Sequence, residues 1–186
     1  MGKDMKYTNK FLIGVVAAFA LASCGGSSNS EPADSSAVVS VEFNDDDVMF
    51  AQMMIPHHEQ AIQMSELALT NSTDPEIIEL ANEIKAAQGP EIEQMKNWGS
   101  SMMGSHAGHM MDEGMLSDDE MAQLKDAKGA EFDRLFLEGM IKHHQGAIEM
   151  ADMILNSANL EAATLGKNIV ESQSAEITRM RDLLSR

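Results

Sequence analysis

The sequence predicts an all-α protein, a four-helix bundle assembled from two copies of one helical hairpin. Three observations carry that prediction. The stretch Met54-Ile55-Pro56-His57-His58-Glu59-Gln60-Ala61-Ile62-Gln63-Met64 returns 86 positions later as Met140-Ile141-Lys142-His143-His144-Gln145-Gly146-Ala147-Ile148-Glu149-Met150. Apolar residues flank both copies at helical spacing, with Phe50, Met54, Ala61, Met64 and Ala68 tracked by Phe136, Met140, Ala147, Met150 and Ile154. A second helix is matched as well, since Ile84, Gln88, Glu91, Ile92 and Met95 are echoed by Ile169, Gln173, Glu176, Ile177 and Met180. Two such hairpins, near 47–96 and 133–181, can close a bundle around one core.

The chain opens with a segment to be set apart from the fold. Lys3, Lys6 and Lys10 precede the apolar run Phe11 to Leu21, which has the length of a signal h-region and is too short to span a bilayer. Leu21-Ala22-Ser23-Cys24 resembles the lipoprotein cleavage box. Residues 1–23 are therefore expected to be a lipoprotein signal peptide. Cys24 becomes the lipidated first residue, anchoring an exported protein to the bacterial cell membrane on the side away from the cytoplasm. Residues 24–43 are rich in Gly, Ser and acidic side chains and read as a flexible tether; 44–186 is the bundle. Cys24 is the only cysteine, so the chain has no internal disulfide and no thiolate to spare for a metal.

With 30 Asp and Glu against 13 Lys and Arg, the formal charge is −17. That balance argues against nucleic acid and against docking on anionic lipid, and it attracts cations without selecting among them. The 17 methionines are the stronger compositional signal. Gap-filling in a core accounts for Met95 and Met180. It does not account for Met beside Gly, Ser and His in a loop.

In chain order, the first helix is expected to begin near Asn44 to Asp47, where acidic residues suit a helix start, and to run to about Thr70. Both His57 and His58 fall within its apolar arc, and Pro56 should kink it. Asp74 and Pro75 read as N-cap and first residue of the second helix, which passes a kink at Gly89-Pro90 and ends near Trp98-Gly99. Residues 99–116 carry no periodic face and read as a loop at the end of the bundle where helix one starts. Trp98 is expected to plug the helix end. Ser117 with Glu120 forms a capping-box pattern before a helix that breaks near Gly129 and continues through the second His pair to about Leu155. Asn159 can cap the last helix.

An up-down-up-down order would make helices one and three parallel and set equivalent residues at one depth, so that the two His pairs face each other. Four neutral imidazoles in an apolar interior each need a donor and an acceptor. A metal would take the lone pairs and leave the outer nitrogens for carbonyl or carboxylate partners. Histidines bonded only to backbone or to each other are the structural alternative. Met-x-x-His occurs three times, at 54–57, 103–106 and 140–143, whereas the Glu-x-x-His of di-iron bundles is absent. A thioether in place of a carboxylate favours copper, Cu(I) above all, while imidazole serves Cu(I) and Cu(II), which places copper ahead of zinc or iron. The candidate ligands are His57, His58, His143 and His144 with Met54, Met64, Met140 and Met150. A second cluster comprises His106, His109, Met102, Met103, Met110 and Met111, for which a plain linker is the alternative.

The paired Met-Ile-x-His-His-x-x-Ala-Ile-x-Met segments resemble the signature of the bacterial domain-of-unknown-function family 305. The resemblance covers about 45–184. It implies a ferritin-like bundle and copper binding at His57, His58, His143, His144 and the adjoining methionines. Members of that family are mostly exported and Met/His-rich, and some are implicated in copper binding and tolerance. The expected function is a lipid-anchored, extracytoplasmic copper binder that buffers the ion or hands it to copper-transfer proteins. A ferritin-like metal oxidase and a non-metal, acidic, partner-binding lipoprotein are the competing readings.

Overall fold

In the computed structural model, which describes residues 42–98 and 113–186, side-chain caps start four of the five helices. The first helix, α1 (Asp45–Asn71), starts at a capping box: Asn44 accepts from the backbone of Asp46 and Asp47, and the Asp47 carboxylate accepts from the Asn44 N–H at 3.0 Å. Three aspartates in its first turn complement the helix dipole. The helix α2 (Pro75–Lys96) starts behind Asp74, whose side chain accepts from Glu76 N–H, with Pro75 at the first position. Both α1 and α2 continue through their internal prolines, Pro56 and Pro90.

The segment expected to be one broken helix is two. A short α3 (Asp118–Asp126) carries the Ser117/Glu120 capping box. Extended backbone at Ala127 and Lys128 separates it from α4 (Gly129–Ala151), which begins on Gly129 at φ 56°. Only glycine adopts that backbone without strain. Asn159 caps α5 (Leu160–Leu184). The four long helices are those of the expected bundle, and α3 is an addition to it. Among the described residues there is no strand, and no helix is long and apolar enough to cross a membrane. The expected signal peptide, Cys24, nearly all of the tether and the loop cluster of Met102, Met103, His106, His109, Met110 and Met111 lie outside the described residues.

Helix α1 packs on α2, α4 packs on α5, and the two hairpins join through α1 and α4. The order is not up-down-up-down. Ser157, just after α4, donates to Asp47 at the start of α1, at 3.0 Å. Asn71, at the end of α1, donates to the Lys125 carbonyl just ahead of α4, at 3.0 Å. The two helices that carry His pairs are therefore antiparallel. So are α2 and α5: Arg179 pairs with Glu79 at 3.0 Å, while at the other end Trp98 donates its indole N–H to Glu161 at 2.9 Å. An approximate two-fold axis across the bundle relates the hairpins, so equivalent residues share one depth only at its middle.

That arrangement sorts the methionines. Met54 and Met150 join Phe50, Ala147, Ala151 and Ile154 in one half of the core. Met64 and Met140 join Ala61, Ala68, Phe132 and Phe136 in the other. Each of these large side chains is buried, at about 1.5–3 kcal/mol apiece for full burial. Trp98 plugs the end where α1 begins, stacking on Phe43 with centroids 4.8 Å apart.

Helix α2 ends beside the start of α1, whereas α3 lies beside the end of α1. The return leg of the connection between α2 and α3, Glu113 to Ser117, lies at the bundle's middle, not at the end where α1 begins. Gln60 on α1 holds the return leg with two bonds, donating to the Leu116 carbonyl at 2.9 Å and accepting from the Leu116 N–H at 2.8 Å.

Candidate metal centre

The middle of the bundle is where the two His pairs meet. His57 and His143 meet across the α1–α4 interface with ring centroids 3.6 Å apart and planes tilted by 36°. His58 lies 6.4 Å from His57, and His144 lies 6.3 Å from His143, again between centroids. All four rings are buried. Adjacent positions on a helix point about 100° apart, so the first ring of each pair faces the opposite hairpin and the second turns toward its own hairpin partner.

The second rings each find a carboxylate there. His58 Nε2 donates to Glu91 on α2 at 2.8 Å, and His144 Nε2 donates to Glu176 on α5 at 2.6 Å. His57 Nε2 donates to the backbone carbonyl of Glu113 at 3.0 Å. The Nδ1 atoms of His57, His58 and His144 have no hydrogen-bond partner, and His143 has none at either ring nitrogen. Buried polar atoms are almost always satisfied. Four imidazoles with unmet ring nitrogens inside one core are therefore an exception that a bound cation would resolve.

Electrostatics favour the neutral, ligating form of the central rings. Burial, reinforced by His58, lowers the His57 pKa to about 3, against an opposing contribution from the Glu113 carbonyl. Burial also drives His143 well below the usual imidazole range, with His57 the next cause. Neither ring carries a proton on its lone pair at neutral pH, so both are free to donate to a metal.

Met54, Met64, Met140 and Met150 are buried in the two half-cores on either side of this layer. Among the described residues no three His, Cys, Asp or Glu side chains converge as they stand on one ion. A centre here would draw thioethers into its ligand set, which suits a soft cation of low coordination number.

Four participants were not assigned from sequence. Glu91 and Glu176 were visible as matching positions of the repeat, and outer ring nitrogens were expected to need carboxylates; the missing step was the pairing. Gln60 and the Glu113 carbonyl gave no periodic signal. Gln88 and Gln173, one turn before the two glutamates, are buried with amide atoms that lack partners: both atoms of Gln88, and Oε1 of Gln173.

Comparison with known proteins shows the family and the fold. A family model described as a domain of unknown function, DUF305, matches residues 47–184. A crystal structure of a DUF305 protein from Streptomyces coelicolor is similar at 31% identity and a TM-score of 0.67, covering 75% of this chain and 91% of that one. CopM in its Cu(I)-bound form is similar at 35% identity and a TM-score of 0.63, over 75% of this chain and 95% of CopM. CopM in its Cu(II)-bound form matches at 37% identity and a TM-score of 0.62, over 77% and 97%. No curated protein matches the chain.

Proposed function

This chain belongs to the DUF305 family, and from that premise we propose that it binds copper in the middle of its bundle. The observation that carries the reading is the set of buried ring nitrogens on His57, His58, His143 and His144 without hydrogen-bond partners. CopM, solved with Cu(I) and with Cu(II), supports copper as the ion. Met54, Met64, Met140 and Met150 supply soft donors, and imidazole tolerates both oxidation states.

The protein acts outside the cytoplasm, held to the membrane by lipid on Cys24, with the acidic residues 24–43 as its tether. The loop residues Met102, Met103, His106, His109, Met110 and Met111 collect copper, and the core holds it for buffering or for transfer to a partner. The net charge of −17 raises the local concentration of cations around both clusters.

Titration with Cu(I) against a competing chelator tests the core site. His57→Ala and His143→Ala should each weaken binding at least tenfold. Undiminished affinity in both variants would remove the core from the function and leave only the loop cluster.

A further inference from the structure

The two carboxylates at the edge of the His layer do more than fill a hydrogen-bond vacancy. Glu91 and Glu176 stand at equivalent places in the two hairpins, 85 positions apart, and each accepts from the second ring of its own hairpin's pair. The rings are fully buried, whereas the carboxylates are 18% and 19% exposed.

A neutral imidazole has one N–H and one lone pair. A carboxylate can only accept, so the proton must sit on Nε2 of His58 and of His144. The lone pair is then on Nδ1, which is buried and unpartnered in both rings. We propose that Glu91 and Glu176 are positioning residues that commit His58 and His144 to bind metal through Nδ1. The inference rests on the copper-binding reading above and adds to it which nitrogen is used and what selects it. The negative charge behind each ring also makes it a better donor and compensates the charge of the arriving ion.

The Glu113 carbonyl imposes the same choice on His57. His143 is the exception, with neither nitrogen engaged.

Nitrogen-15 NMR of the full chain, which correlates each ring nitrogen with its ring protons, reads both tautomer and metallated atom. The probe is Ag(I), a soft monovalent cation without unpaired electrons. In the metal-free protein His58 and His144 should carry the proton on Nε2, and Ag(I) should shift their Nδ1 signals. Glu91→Leu and Glu176→Leu should lower Ag(I) affinity by about 10- to 100-fold. Glu91→Gln should restore part of that loss, because its amide oxygen still accepts. Coordination of wild-type His58 and His144 through Nε2 would overturn the proposal while leaving metal binding intact, as would leucine variants that bind as tightly as wild type. Ag(I) and Cu(I) that perturb no histidine signal would instead overturn the binding reading itself, and the proposal with it. Should a leucine variant fail to fold, the wild-type assignment alone still decides.

Discussion

A Cβ on Gly146 would stand 2.2 Å from the carbonyl oxygen of Glu113, so α4 and the returning connection touch backbone to backbone. Real Cβ atoms do not approach an oxygen that closely. Across the interface the matching position is Gln60, which holds Leu116 by two hydrogen bonds. The approximate two-fold symmetry of the hairpins breaks at this place. One side is bare to admit the connection, and the other is polar to bind it.

Gly146→Ala should therefore destabilise the fold, although alanine is the better helix former by about 1 kcal/mol. The methyl must push Glu113 aside, at a cost of about 1–3 kcal/mol for overpacking, and Gly114 at φ 74° leaves the connection little room to adjust. Chemical denaturation would register the net loss. Hydrogen exchange at the Leu116 amide, protected by Gln60, should speed up as well. A variant more stable than wild type would mean that the contact is not made in solution.

The helices were legible because caps and apolar periodicity are local. Asn44, Asp74, Ser117 and Asn159 each act where the sequence places a helix start. The burial of His57, His58, His143 and His144 was legible for the same reason, since each pair shares a face with Phe and Met at helical spacing. The direction of the helices was not. A repeat is equally compatible with parallel and antiparallel placement of its copies, and only contacts such as Ser157 to Asp47 decide. The Glu91 and Glu176 partners depended on that three-dimensional step too. Gly146 departs from its copy, Gln60, and repeat matching discards departures, though here the departure marks where the connection crosses.

Acid should destabilise the metal-free protein before it protonates most carboxylates. His57 has a folded-state pKa of about 3, lowered chiefly by burial and then by His58, and His143 lies well below its ordinary value for the same leading reason. Their unfolded values are near 6.5. Between those limits the unfolded chain binds protons that the folded rings refuse. The stability they confer is complete above about pH 6.5 and falls as pH drops toward 3, by about 1.4 kcal/mol per pH unit for each ring. Denaturation curves collected across about pH 5 to 8 check this, and His143→Ala should flatten the slope by roughly one ring's share. An unchanged slope in that variant would show that His143 is protonated in the fold or exposed to solvent.

Gln88 offers a test of whether the unpartnered amides are real, by comparison with Gln60. Both glutamines belong to the hairpin of α1 and α2, and methionine matches the shape of either without its polar atoms. Gln60 makes two hydrogen bonds to Leu116, so Gln60→Met loses both and leaves Leu116 to find other partners, a loss of about 1–3 kcal/mol. Gln88 is 2% exposed and neither of its amide atoms has a partner. Gln88→Met removes a buried group whose desolvation nothing offsets, so it should stabilise the metal-free protein by about 1 kcal/mol or more. The same chemical change thus has opposite signs at two positions, read in one set of denaturation curves. If both variants lose stability, the Gln88 amide is satisfied in solution by a buried water. Addition of Cu(I) then separates two roles for that amide, because a residue that helps hold the ion would lower copper affinity when replaced, whereas one that only anchors water would not.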